Sequence, residues 1–478
     1  MFEIIHSPGF CLPIALFMRS TISPVLGALC LCLFLSKTWA QTFQLMRYDE
    51  DYTYLKDSAR TVYNRFKYIP LSAGKPGAYL SFGGGIRWEF DAFTNEDWGQ
   101  FNAGQDNFFL QRYDFHADLR LSPRLRFYGE IRSALENGRP HGPRPIDEDK
   151  LNLENYFFDY RFVQSQTDTL TFRGGRQEIN YGSGRLISVR DGPNMRQYFT
   201  GAKLMYVHKR LAVDLLAMEA DSTYTGVLDN RGTKELNLWG AYSTLAVPIL
   251  KNIDCYYIGT RRDNSPYEEG TEKEVRQTFG SRIWRIGNGL NYDVEGAYQY
   301  GKLGSGNINA WGLFMDVSYL FGGLKWAPQI GLRNDYTSGD RKAGDGSLQS
   351  FNPMYPRAGY FSGFDPQVGA SNLIDLHPYF ASVPFPNFTF NADVAFNWRY
   401  SLGDGVYRPP GSAVHLPGTD AERRYIGTAC LARAGYVINA FLSVDFEAQF
   451  FKVGPFIEDS FAGAKNAVLT NSQIIIKF

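Results

Sequence analysis

The chain has 478 residues, with 49 Lys and Arg against 49 Asp and Glu and a net charge of zero. That balance excludes a polybasic nucleic-acid binder and an acidic disordered tail, and no uncharged apolar run of about 18 residues lies beyond the first 40, which excludes a bundle of membrane helices. Aromatic residues reach 16% (37 Phe, 30 Tyr, 8 Trp) with 48 Gly, and mean hydropathy is −0.29. Strands can carry such a sequence through a membrane, because only alternate residues need be apolar.

Residues 25–35, VLGALCLCLFL, have the length and apolarity of an export-signal core, and Thr38 and Ala40 are small residues at the two cleavage-site positions. Residues 1–40 are therefore expected to be a signal peptide, with Met18-Arg19 as a better start than Met1. Leu29 before Cys30 argues against a lipid anchor. Removing residues 1–40 leaves 47 basic and 48 acidic residues, with Cys255 and Cys430 as the remaining cysteines. Neither has a CxxC or His neighbour at ligand spacing, so no metal or cofactor is expected.

Residues 41–79 read as a periplasmic segment leading into the next element. From residue 80 onward, period-2 alternation dominates. Leu80, Phe82, Ile86, Trp88 and Phe90 share one face, and Ser81, Arg87, Glu89 and Asp91 the other. Phe109, Tyr113, Phe115, Ala117 and Leu119 oppose Arg112, Asp114, His116, Asp118 and Arg120. After the turn Ser122-Pro123, Leu125, Phe127 and Ile131 oppose Arg126, Glu130 and Arg132. The apolar faces end in Tyr, Trp or Phe, as aromatic girdles do at membrane interfaces.

Connections alternate in length. Those at 122–123, 209–210, 248–252, 287–290, 321–323 and 437–440 are short. Those at 136–152, 180–198, 220–233, 263–274, 337–370, 401–424 and 454–463 are long. Short turns at one rim and long loops at the other predict an all-β fold over 80–478, a single transmembrane antiparallel β-barrel in the cell outer membrane. Seventeen strands are plain. An even count requires one more, which 371–383 supplies despite Pro378, giving about eighteen. The expected strands run 80–92, 108–121, 124–135, 153–163, 169–179, 199–208, 211–219, 234–247, 253–262, 275–286, 291–301, 308–320, 324–336, 371–383, 388–400, 425–436, 441–453 and 464–478. Ile474, Ile476 and Phe478 share a face of the last strand, and Phe478 reads as the signal to the barrel assembly machinery.

Motifs of catalysis (GxSxG, HExxH, a Gly-rich loop ending in GK[ST]) are missing, so the chain reads as no enzyme. Turning the aromatic faces to lipid places Arg87, Arg112, Arg120, Arg126, Arg132, Arg161, Arg173, Arg282, Arg333 and Arg399 toward the lumen, with Asp114, Asp118, Glu130, Asp159, Asp335 and Asp393 among them. One reading is a solvated, mutually neutralised wall. The other is a ladder of guanidinium forks, which match carboxylates bidentately and let a polyanion step from one to the next.

The stretch GGRQEINYGSGRLISVRDGPNMRQYFTG (174–201) resembles the signature of the alginate-export family of outer-membrane barrels. LMRYDEDYTYL (45–55), TSGDRKAGDGSLQSFNPMYP (337–356), SNLIDLHP (371–378) and GVYRPPG (405–411) are similar to other blocks of that family. The resemblance implies an eighteen-stranded barrel and passive export of an anionic polysaccharide, an alginate-like polyuronate, through an Arg-lined pore. It places the family's motif residues on Arg176, Glu178, Tyr181, Gly182, Arg185, Arg190, Gly192, Pro193, Asn194 and Arg196. Because the turns at the periplasmic rim are all short, any gate is expected from a loop at the other rim.

The expected function is thus an outer-membrane channel passing an anionic polysaccharide or acidic oligosaccharide. The expected partners are that polymer, outer-membrane lipid and the assembly machinery, with no nucleic acid, and the barrel is expected to be a monomer. Two alternatives stay open: an anion-preferring uptake porin, and a non-conducting receptor or adhesin that uses its long loops.

Overall fold

The computed structural model describes residues 43–58, 61–71, 77–100, 104–357, 359, 367–409, 413–418 and 422–478. The expected export signal and the Met18 start lie outside the described residues. Among the described residues no helix is long and apolar enough to cross a membrane; the crossing is made by strands.

Eighteen long strands form the wall: β1 (Tyr79–Thr94), β2 (Gln105–Arg120), β3 (Leu125–Asn137), β4 (Asp149–Gln164), β5 (Asp168–Glu178), β6 (Tyr198–His208), β7 (Leu211–Ser222), β8 (Arg231–Val247), β9 (Lys251–Tyr267), β10 (Gly270–Arg285), β11 (Gly289–Leu303), β12 (Gly306–Leu320), β13 (Gln329–Thr337), β14 (Leu373–Phe385), β15 (Phe388–Arg399), β16 (Tyr425–Val437), β17 (Leu442–Val453) and β18 (Ala467–Lys477). Each pairs antiparallel with the next. β18 returns to β1, from Gly85–Lys477 to Thr94–Val468, and closes the barrel. Closure leaves the sheet no open edge to template aggregation. The strand count agrees with the parity argument. Pro378 is accommodated where the β14–β15 ladder skips from Leu376 to Tyr379, so its missing N–H falls in an unpaired step.

Two sequence expectations are corrected. The loop expected at 263–274 is a hairpin: β9 and β10 stay paired to Tyr267–Gly270, leaving Glu268 and Glu269 as the turn. The strand expected from 324 begins at Gln329, because Trp326 and Ala327 take left-handed backbone angles (φ 75° and 42°) and Pro328 cannot donate to a ladder.

Outward side chains include Phe90, Phe115, Phe127, Phe158, Phe279 and Tyr298, all exposed on the surface that faces lipid. The interior is not uniformly polar. Phe199, Leu216, Met218, Leu238, Tyr242, Tyr256, Ile258 and Phe314 point inward from β6–β12 and pack with Ile187, Phe351, Met354 and Tyr355 of two inserted loops. One side of the lumen is thus filled by an apolar core.

The N-terminal segment also enters the barrel. Tyr48 packs edge-on against Tyr128 and Phe157, with centroids 5.8 and 5.2 Å apart, and donates to the Glu178 carbonyl at 2.5 Å. Arg47 reaches the carbonyls of Gly84 (2.8 Å) and Phe478 (2.9 Å), and Lys67 reaches Phe478 O at 3.1 Å. Ile69–Pro70 pairs with Tyr79–Leu80, the stretch of β1 that β18 does not cover. An obstruction at the short-turn rim therefore comes from the segment before β1, a source the turn lengths could not show.

Candidate functional site

The 179–197 connection leaves β5, folds into the lumen and is tied down along its length. Gly182 turns with φ +58°, and a Cβ there would sit 2.9 Å from the Tyr242 hydroxyl. Tyr181 stacks on Tyr242 (centroids 4.5 Å) and donates to Asp214 at 3.0 Å. Arg185 crosses to β11 and pairs with Asp293 (2.6 Å) and Glu295 (3.1 Å). Further on, Arg87 donates to the carbonyls of Asp191, Gly192 and Pro193 at 2.9–3.1 Å. Arg112 donates to Asn194 O, Pro193 O and the Asp191 carboxylate. The Asn194 amide donates to the carbonyls of Gln111, Leu135 and Asp147 at 2.9–3.2 Å. Arg196 pairs with Asp191 (2.7 Å) and Glu178 (3.2 Å). Arg196 and Arg112 together hold the Asp191 carboxyl well below the usual range, against the cost of burial. At the loop's start Arg176 binds Asp221 at 3.2 Å and the Leu153 carbonyl at 3.0 Å.

The 338–372 connection docks on this loop. Ser188 N–H donates to Tyr355 O at 2.8 Å, Tyr355 N–H to Leu186 O at 2.9 Å, and Arg357 N–H to Gly184 O at 2.7 Å. Such backbone pairing between two loops fixes them as one insert rather than two flaps. Beside it remains a cavity of about 1170 Å³, bounded by β1–β3, β13–β18 and the N-terminal segment. Its lining has slightly more Arg and Lys than Asp and Glu.

The ten inward arginines named from the alternation divide into groups. Arg87, Arg112, Arg132 and Arg333 line this cavity. Arg87 and Arg112 clamp the loop. Arg132 pairs with Asp114 (2.5 Å) and Glu154, and Arg333 with Asp316 (3.2 Å) and Asp393 (3.5 Å). Arg120, Arg126 and Arg173 lie lower, against the N-terminal segment: Arg120 meets Asp51, Arg126 meets Asp118 and Tyr48 O, and Arg173 meets Asp159 and the Tyr48 ring. Arg161 sits at the short-turn end of β4, its N–H on Arg124 O. Arg282 is locked between Asp254 and Asp293. Arg399 is fully buried at the long-loop rim, holding the carbonyls of Leu402, Asp404 and Arg423. Arg87, Arg112, Arg120, Arg126, Arg132, Arg173, Arg282, Arg333 and Arg399 are thus each engaged by a carboxylate or backbone carbonyls, and four of them also line the cavity.

The cations that meet the cavity without an ion-pair partner among the described residues lie elsewhere. Arg190 lines the cavity from the 179–197 loop in a left-handed conformation (φ 53°), its guanidinium 5.7 Å from the Tyr355 ring. Burial, with Arg262 adding repulsion, brings its pKa down to about 10, which leaves it charged at neutral pH. Arg357, exposed at the docking point of the second loop, lies in the field of Arg433 and Arg333, so these three cations share one field. Lys477 joins them from β18. Arg190 stood in the family-like block. Lys477 is readable from the alternation of the last strand. Nothing periodic marks Arg357.

A family model described as alginate export matches residues 78–469. The chain belongs to the alginate-export family. As in that family, it is a transport barrel of the outer membrane. Solved structures with the same architecture include Acinetobacter baumannii OccAB1 (TM-score 0.57, 11% identity, covering 87% of this chain and 99% of that one). Another is a BenF-like porin from Pseudomonas fluorescens Pf-5 (0.56, 9%, 84% and 98%). A third is Pseudomonas aeruginosa OccK2 in complex with glucuronate (0.52, 11%, 83% and 98%). At these identities the likeness is one of fold. A comparison with curated protein sequences finds no match. Within the alginate-export family signature of this chain, most charged side chains hold the loop in place; Arg190, Asp191 and Arg196 line the cavity, and of the two arginines Arg190 has no ion-pair partner among the described residues.

Proposed function

We propose that this barrel is a passive channel for an anionic sugar polymer or acidic oligosaccharide, with Arg190 and Arg357 as the cations that meet the substrate's carboxylates. The observation that carries the reading is their placement: two loops locked to each other bring both guanidinium groups to one cavity with no carboxylate paired to either among the described residues. In a narrow, partly desolvated passage such charges raise anion occupancy. Neighbouring acids such as Asp393 and Glu447 keep binding weak enough for release. The barrel performs no catalysis in this reading. It works as a monomer, and Phe478 is the residue presented to the assembly machinery.

Uptake of small acidic solutes is the second reading, favoured by the N-terminal segment that narrows the short-turn rim and by the glucuronate bound to OccK2. Planar-bilayer recording with a graded series of oligouronates separates the two. A polymer channel is blocked more strongly as oligomer length grows, and a small-solute porin is blocked equally by the monomer.

A further inference from the structure

Outside the cavity, three consecutive strands present one row of inward side chains. Asp335 on β13, Asp375 on β14 and Asn397 on β15 are register partners. All three are buried, at 1%, 0% and 0% exposure. The backbone N–H of Asp335 donates to Asp375 Oδ1 at 3.0 Å, which draws that carboxylate toward β13. Asn397 turns its amide nitrogen to the carbonyls of Ala395 and Gly427, the latter on β16. Its Oδ1 is left without a donor among the described residues. Among the described residues, no donor makes a hydrogen bond to Asp335 Oδ1 or Oδ2, Asp375 Oδ2 or Asn397 Oδ1. The Met315 N–H is directed at the Asp335 carboxylate without reaching hydrogen-bond geometry. The guanidinium groups whose field reaches the pair are engaged by other acids: Arg185 by Asp293 and Glu295, and Arg333 by Asp316 and Asp393; the neighbouring His377 ring places Nε2 3.2 Å from Asp393 Oδ2.

Two carboxylates side by side, out of water and with three of their four oxygens lacking a donor among the described residues, repel each other and lose hydration for little in return. A cation between them removes both costs. The available donors are all oxygens, two carboxylates and an amide, with no thiol in the row. That set fits a hard cation that accepts several oxygens in loose geometry. We propose that Asp335, Asp375 and Asn397 form a binding site for a hard divalent cation of the calcium class, completed by water or backbone carbonyls. The place gives the site a task. β13 ends at Thr337 and β14 begins at Leu373, so the cation staples both roots of the 338–372 loop to β15. The inference stands on the strand register and the orphaned oxygens, independent of what passes through the channel.

The test uses the full chain, refolded in detergent free of lipopolysaccharide, stripped with EDTA and dialysed against calcium chloride. Metal analysis should find one calcium per chain more than in the Asp335→Asn/Asp375→Asn variant. Calcium should raise the temperature of heat modification of the wild type and leave that of the variant unmoved. Asn397→Ala keeps both carboxylates and covers the case in which the double variant does not fold; its calcium affinity should fall several-fold. If the wild type retains no calcium after dialysis, and its heat-modification temperature is the same in calcium as in EDTA, the pair holds a shared proton or water and the site is overturned.

Discussion

Arg112 donates its Nε–H to the carbonyl of Asn194 at 2.9 Å, joining a β2 side chain to the loop after β5. The same guanidinium takes the Asp191 carboxylate and the Pro193 carbonyl. An arginine that alternation alone places toward the lumen thereby clamps the 179–197 loop.

Arg112→Ser should accordingly loosen the channel rather than change its selectivity. It strips four acceptor atoms, the carbonyls of Asp191, Pro193 and Asn194 and the Asp191 carboxylate, a loss of roughly 2–3 kcal/mol. We expect a lower heat-modification temperature and a larger, noisier single-channel current as the 179–197 loop gains freedom. A quiet channel of unchanged conductance with reduced anion selectivity would make Arg112 a pathway cation after all.

Lys67 gives the N-terminal segment a pH dependence. Its ammonium is buried, donates to Phe478 O and lies 4.7 Å from the Tyr52 ring centre, with Tyr63, Phe43, Arg47, Glu50 and His116 around it. Burial, then Arg47, pulls its pKa down to about 7, with Glu50 opposing. An undocked segment keeps its Lys protonated up to about 10.4, so docking strengthens as pH rises between these values, by at most ~1.4 kcal/mol per unit. A spin label at Thr53 should be less mobile at pH 9 than at pH 6, and Lys67→Met should abolish the difference. Equal mobility of the wild type at both pH values would refute this.

Gly84 is where the closing seam meets the last residue. Its N–H and C=O exchange bonds with Phe478 at 2.9 and 3.1 Å, and a Cβ would sit 2.3 Å from Asp114 O and 2.7 Å from the Phe478 ring. Gly84→Ala should reduce the heat-modifiable fraction in the outer membrane, and deletion of Phe478 should do so at least as strongly. Full folded yield from both variants would separate this contact from assembly.

The long 338–372 loop begins at the rim opposite both chain ends of the barrel, so an exposed position on it faces the cell exterior. Cysteine at Lys342, which is exposed, should react with an impermeant thiol reagent on intact cells. Ser347 is a poorer probe because it pairs with Asn307 of β12. Labelling that requires a broken outer membrane would invert the topology.

The wall was legible because alternation is a local signal and a membrane demands it on every strand. Leu80 to Phe90 show their lipid face residue by residue, and parity found the strand at 371–383 that Pro378 obscures. The filling of the lumen was not legible. Met218, Leu238 and Ile258 point inward although they are apolar, because Tyr355 and Ile187 arrive from loops with no periodicity. The same loops decide which arginines are consumed. Inward position could be read from Arg87 or Arg132 alone, but their partners, Pro193 O and Glu154, depend on contacts between distant segments.

The central claim is that Arg190 and Arg357, rather than the wall arginines, set anion preference. It is tested most directly by the reversal potential and oligouronate block of Arg190→Asn/Arg357→Gln in planar bilayers; Asn suits the left-handed backbone at position 190. The wild type should prefer anions, less so as the Debye length falls from about 10 Å at 0.1 M salt to about 3 Å at 1 M. The double variant should move toward cations and bind the oligouronate about tenfold more weakly, the equivalent of ~1.4 kcal/mol. Wild-type reversal potential and block in a folded double variant would contradict the account.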